Sequence, residues 1–271
     1  MKLDISLAWR HASAAVSANR EVLLALAGVF FLLPRLAFQL FAPEPPSAAG
    51  GADEAFVAAM QVYYGQIAPI MLPMIVVEAT GTLAMLTLFT DRSKPTVGQA
   101  IALGGKSVLP YLAVQVLFAI GVGLGGGVLM GIAAATGVQA LAALVVVAVI
   151  VAAFYGFLRL VLAAPAIAVE RIRQPIAAMR RSWSLTQGNA SRIFLFLALL
   201  MLVLMVVMGA AVSIAGAAIG ALAGPEAARV AAAIISSALS AGFAVYLSGC
   251  IAAIHRQLAG PSAGAIGATF E

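Results

Sequence analysis

Three ionisable side chains, Arg35, Glu78 and Arg159, stand inside long apolar runs of this 271-residue chain. A charge at the centre of a bilayer costs about 2.5–3.5 kcal/mol on insertion scales, so such groups are seldom left facing lipid. Glu78 lies near the middle of its run, with Arg35 displaced toward one side of the first run and Arg159 toward the other side of the fourth. Either arginine can serve as the partner of Glu78, depending on how the helices pack. The chemistry open to such a cluster is a polar pathway or a headgroup pocket inside a bundle. The plainer alternative is a buried ion pair, or arginine stems snorkelling to the interfaces. One acid and two bases make a thin relay, which favours the plainer alternative.

Other motifs carry less. Gly121-Val-Gly-Leu-Gly-Gly126 has the spacing of a dinucleotide fingerprint, but no strand precedes it and it lies in the middle of an apolar run. Gly121, Gly123, Gly125, Gly127 and Gly131 instead give overlapping GxxxG spacings, and Gly216, Gly220 and Gly224 repeat the arrangement further on. Glycines so spaced let helices approach closely in lipid. His11 and His255 have no metal-ligand companions nearby, and the single cysteine, Cys250, reads as a small buried hydrophobe. Asn189-Ala-Ser191 matches a glycosylation acceptor on the side expected to face the cytoplasm, where it is silent. No catalytic, cofactor or metal site emerges, so an enzyme is not expected.

What positions these residues is a set of membrane spans. Hydrophobic residues make up 63% of the chain and charged residues 9%, against roughly 25% charged in soluble domains. A spanning helix needs about 20 mainly apolar residues, and six runs qualify: 22–42, 64–90, 108–132, 139–166, 193–223 and 229–254. Backbone polar groups in lipid need internal partners, and the alternation of a β-barrel is missing, so helices are expected. The first run, with Lys2, Arg10 and Arg20 before it, is longer than a signal-peptide core and contains Arg35. It reads as a retained helix. The fold expected is therefore an all-α integral membrane protein with six transmembrane helices over 22–254.

Charge sets the orientation. Lys2, Arg10, Arg20, Arg92, Lys94, Lys106, Arg171, Arg173, Arg180, Arg181, Arg192 and Arg256 all fall on one side, twelve of the fifteen Lys and Arg residues. The opposite connections 43–63, 133–138 and 224–228 hold none. The positive-inside rule makes the basic side, with both termini, cytoplasmic. A pI of 9.8 therefore reports topology and not nucleic-acid binding. The external connection APEPPSAAGGADEAF reads as a flexible loop ending in a short helix over 55–61.

Each pair of spans follows a short basic-side segment with an apolar stripe at helical spacing. The stripes are Ile5, Trp9, Ala12 and Val16; Val97, Ile101, Gly104 and Val108; and Ile176, Met179 and Trp183. Pro95 and Pro175 suit the starts of the second and third. The expected organisation is an amphipathic segment over 1–21, interfacial helices near 96–107 and 174–189, and a tail over 255–271. Three copies of an interfacial helix plus a hairpin would make a pseudo-threefold bundle.

Residues 165–196 are the most distinctive stretch. Pro165, Glu170, Arg181, Ser182, Trp183, Leu185 and Gly188 follow a pattern of proline, apolar residues, glutamate, an amphipathic helix with Arg-Ser-Trp-x-Leu, then glycine. This resembles the membrane domain of the glycerophosphoryl diester phosphodiesterase family and kindred bacterial six-span proteins. In members that carry a hydrolytic barrel, the resemblance implies a separate domain with His-Arg-Gly and metal-binding carboxylates. Here His255-Arg256-Gln257 stands at a helix end, and a barrel of about 250 residues has no room. The resemblance thus implies an architecture, in a bacterial inner membrane, without an activity.

Arg171, Arg173, Arg180, Arg181 and Arg192 cluster around Trp183, and each cation near an anionic leaflet contributes about 1 kcal/mol. The function expected is a non-catalytic protein that organises lipid, anionic for preference, or a partner at the inner leaflet. The alternative is a small transporter or lipid-translocating protein using the bundle interior, for which Pro69 and Pro73 near Glu78 are the best argument. The glycine-rich faces are candidate surfaces for a protein partner or a second copy.

Overall fold

A computed structural model of the chain describes residues 2–46, 54–90 and 96–260. Arg92, Lys94, Pro95 and the tail beyond 260 lie outside the described residues. The described residues form helices without strands: α1 (Ile5–Ala18), α2 (Arg20–Ala27), a π-turn (Gly28–Leu32), α3 (Leu33–Phe41), α4 (Glu54–Thr90), α5 (Val97–Ala135), α6 (Gln139–Leu160), α7 (Ala163–Ala168), α8 (Pro175–Thr186), α9 (Ala190–Ala223) and α10 (Pro225–Ala259). Six of the resulting rods are long and apolar enough to cross a bilayer. The all-α membrane fold is therefore as read from composition.

The first span is interrupted where Pro34 enters it. Proline brings no N–H to the carbonyl four residues back, and the chain answers with the π-turn, in which Leu33 N–H reaches Gly28 O. The later prolines behave differently. Pro69 and Pro73 sit within α4, which runs unbroken from Glu54 to Thr90. The residues 55–61, expected as a separate short helix, are its first turns. Likewise the amphipathic segment near 96–107 is continuous with its span. A Thr96–Gln99 capping box starts α5, which then runs 39 residues to Ala135, about 58 Å of helix.

α1 and α8 are separate helices, and each turns inward a face only partly made of its expected stripe. α1 buries Ala8, Ala12 and Val16 against α10, while Trp9 stays outside the buried stripe and stacks on Tyr246 at 5.9 Å. α8 buries Ala178, Ser182, Leu185 and Thr186, leaving Ile176 and Trp183 outward. Small residues on the inner faces let these helices dock closely on the span ends. Of the apolar stripe read from sequence, Ile176 and Trp183 lie on the outer face of α8, while Met179 packs at its edge against Ala178's cluster.

The dense core lies at the basic end, where α10 is packed by α1, α4, α7 and α8. Two glycines permit close crossings. A Cβ on Gly104 would stand 2.9 Å from Ala84 N and Thr80 O, and one on Gly81 would stand 2.5 Å from Phe30 Cβ. Away from this end, α5, α6 and α9 expose Leu, Val and Ile along their length. In water that would be a liability, but in lipid it is the expected surface.

Candidate functional site

Between the dense end and the middle of the bundle lies a cavity of about 690 Å³, walled by the π-turn and α3 of the first span and by α4, α5, α6, α7, α9 and α10. Phe31, Phe118, Phe157 and Met201 supply apolar wall, and Arg35, Glu78, Thr82, Gln115 and Ser240 supply polar atoms. The volume falls in the ordinary range of ligand pockets, about 300–1,000 Å³, and such pockets combine apolar walls with a few placed polar groups.

Arg35 and Glu78 meet at this cavity. Arg35 Nε donates to Glu78 Oε1 at 2.8 Å, and Nη2 to Oε2 at a looser 3.4 Å. The pairing follows from local structure. The π-turn before Pro34 packs Phe30 and Phe31 against Gly81, which has no Cβ to obstruct them. In antiparallel helices, the turn after Phe31 then lies beside the turn before Gly81, bringing Arg35 to Glu78. π-turns recur at functional sites because they redirect side chains in this way. The pair stays accessible, with the Arg35 side chain 41% exposed and that of Glu78 23% exposed.

Arg159, grouped with these two by sequence, is held elsewhere. It is 5% exposed, with its guanidinium carbon 4.5 Å from the Trp183 ring centre and 5.7 Å from that of Tyr155. Among the described residues no carboxylate lies within ion-pair distance of it, and its Nε is sealed off without a hydrogen-bond partner. Its backbone carbonyl accepts from Ser182 Oγ at 2.7 Å and from Thr186 Oγ1 at 3.4 Å. Cation–π contacts contribute about 0.5–2 kcal/mol, less than leaving a cation unpaired in an apolar interior costs. Tyr155 and Arg159 are four residues apart on one helix face. That spacing was the readable signal for this contact.

Glu170 ties α8 to two spans. Arg181 Nε donates to its Oε2 at 2.8 Å and to its Oε1 at 3.1 Å. His255, at the end of α10, places Nε2 2.9 Å from Oε1. Burial alone pushes the Glu170 carboxyl up, but the hydrogen bonds from His255 and Arg181 and their charges outweigh it and hold it at about 2. Arg171, at φ 57°, makes the turn that follows. Nothing in the sequence pattern pointed to His255, which is 85 residues away.

The remaining expected headgroup cations divide. Arg192 Nη1 donates to Leu3 O at 3.1 Å while Asn189 Oδ1 accepts from Leu3 N–H at 2.8 Å, fastening the N-terminal segment to α9. Arg171, Arg173 and Arg180 are exposed. The glycine spacing on α5 is not used within the chain as expected. Gly121, Gly123, Gly125, Gly127 and Gly131 would each meet nothing within 4 Å if given a Cβ, whereas Gly126 would stand 2.9 Å from Val149.

The distinctive 165–196 stretch is thus a structural clamp. Pro165 is buried in α7, Glu170 holds Arg181, Ser182 holds the end of α6, Trp183 covers Arg159, and Gly188 takes φ +75° at the turn into α9. No curated protein and no solved structure matches the chain. Residues 135–256, which contain the whole clamp, match the family described as the membrane domain of glycerophosphoryl diester phosphodiesterase.

Proposed function

We propose that the chain is a non-catalytic, lipid-binding membrane protein of this domain type, which takes the polar end of an amphiphile into its bundle. The cavity carries this reading, because it joins a mostly aromatic and aliphatic wall to one accessible ion pair. A ligand of net charge would leave either Arg35 or Glu78 without a partner. A headgroup bearing both signs replaces both partners at once, so zwitterionic or neutral lipid suits the site best. We place the basic end in the cytoplasm of a bacterial inner membrane by the charge asymmetry. The continuous α4 removes the broken helix at Pro69 and Pro73 that an ion-coupled transporter would use; the cavity keeps lipid translocation as an extension of the same reading. Native mass spectrometry after detergent exchange tests it. Ala244→Trp, which fills the cavity, lowers the lipid retained per chain. Unchanged lipid on a folded Ala244→Trp protein contradicts the reading.

A second reading rests on the exposed Arg173 and Arg180 beside the outward Ile176 and Trp183. These organise anionic lipid or a partner at the inner leaflet, with the open glycine face of α5 available to a second copy. Vesicle co-sedimentation at rising anionic lipid content tests the cations. Arg173→Gln/Arg180→Gln reduces binding, and equal binding removes this reading.

A further inference from the structure

Among the described residues Arg159 has no carboxylate partner, and the helix that carries it also carries a groove. Leu144, Val147, Ala148, Val151, Ala152 and Tyr155 line a shallow apolar channel on α6. Their spacing is that of one helix face, and it leads from the outer half of α6 to Tyr155, one turn before Arg159. From Leu144 to Tyr155 the groove runs about 16 Å, close to the thickness of one leaflet's hydrocarbon, about 15 Å. The face is distinct from the cavity wall, to which α6 contributes Phe154, Phe157, Leu158 and Leu160. At the groove's basic end the guanidinium rests against Trp183, which is 45% exposed, and Tyr155, which is 47% exposed.

We propose that Arg159 and this groove form a site for one anionic phospholipid of the leaflet at the basic end. The lipid phosphate supplies the counter-charge that no described carboxylate supplies, on a planar guanidinium fork suited to phosphate oxygens. One acyl chain follows α6 from Tyr155 toward Leu144. Trp183 and Tyr155 orient the guanidinium and sit at headgroup level, where amphipathic rings are favoured. The site does not depend on the Arg35–Glu78 cavity, and either can fail without the other.

Trp183 supplies the readout, since the chain has two tryptophans and Trp9→Phe leaves it alone. Trp9→Phe protein in mixed micelles is titrated with brominated phosphatidylglycerol, with brominated phosphatidylcholine, and with inorganic phosphate. Quenching of Trp183 is expected to saturate at a roughly fivefold lower mole fraction of the anionic lipid than of phosphatidylcholine. Arg159→Met abolishes that preference and Arg159→Lys keeps part of it. Ala148→Phe, which obstructs the groove without touching Arg159, weakens it. Equal quenching by the two lipids overturns the proposal, as does a preference that survives Arg159→Met. Relief of quenching by inorganic phosphate at matched concentration overturns the assignment to a lipid. If Arg159→Met does not fold, Ala148→Phe decides, and an unchanged preference in that variant overturns the site.

Discussion

Arg35 and Arg159 are the same residue type in the same kind of apolar run, and the fold treats them in opposite ways. Arg35 has a carboxylate partner at 2.8 Å and stays 41% exposed beside a cavity. Arg159 is 5% exposed, lies against two aromatic rings and has no described acid near it. The difference shows how a bundle in lipid can hold a cation. One way is an ion pair that water or a ligand headgroup can still reach. The other is an aromatic clamp at the end of a span, which covers the charge almost wholly and supplies no carboxylate among the described residues. The first arrangement suits a ligand that bears both signs, and the second an anion.

The largest expected effect comes from breaking the pair on one side. Glu78→Gln leaves Arg35 facing the cavity and lowers stability in detergent by about 2–3 kcal/mol, below the full cost of orphaning a wholly buried charge. Arg35→Gln/Glu78→Gln recovers much of that loss in chemical denaturation. A double variant as unstable as the single one would mean the two do not act as a unit. Trp183→Ala acts on the other arginine, removing the cation–π contact and opening Arg159 to solvent. It costs about 1–2 kcal/mol, read by thermal unfolding, and an unchanged midpoint would show that the ring does not hold the charge.

The clamp around Arg159 is also open to acid. The Glu170 carboxyl is held at about 2 in the folded chain against an ordinary 4.5. Its stabilising contribution is therefore complete above pH 4.5 and is lost as pH falls toward about 2. After solvent screening it amounts to about 1–2 kcal/mol. Melting in that window should steepen with acid in the wild-type chain and flatten in Glu170→Gln. The smallest effect belongs to Ser182→Ala. It removes the 2.7 Å bond to the Arg159 carbonyl but leaves that of Thr186, for about 1 kcal/mol. A loss well beyond that would show that α8 docks through this bond more than through Glu170.

The six spans were legible because a run of apolar residues at bilayer length has no other stable use. The 165–196 stretch was legible as a family pattern, and the structure gives its members physical jobs. What the chain order could not convey was adjacency. Glu78 had two arginines within plausible reach, and the choice of Arg35 rests on a π-turn before Pro34 and on Gly81 meeting Phe30. Neither depends on apolar periodicity. The stripe Ile176–Met179–Trp183 was a true helical pattern, yet periodicity does not say which face meets protein, and α8 buries the neighbouring face of Ala178, Ser182, Leu185 and Thr186. For the same reason Gly121, Gly123, Gly125, Gly127 and Gly131 looked like packing positions, while Gly81 and Gly104 form close crossings. Pro69 and Pro73 were the best argument for a transporter, but α4 continues through them and the first span, at Pro34, is where the helix changes.

The most direct test of the central claim is photo-crosslinking of the membrane-embedded chain with a phospholipid bearing a diazirine in its acyl chain, followed by mapping of the labelled peptides. Lipid bound within the bundle predicts adducts at the cavity wall, on Phe118, Phe157, Met201 or Leu247, and their loss in Ala244→Trp. Adducts confined to outward residues of α9 such as Leu195, Leu202 and Leu222, unchanged by Ala244→Trp, would contradict it.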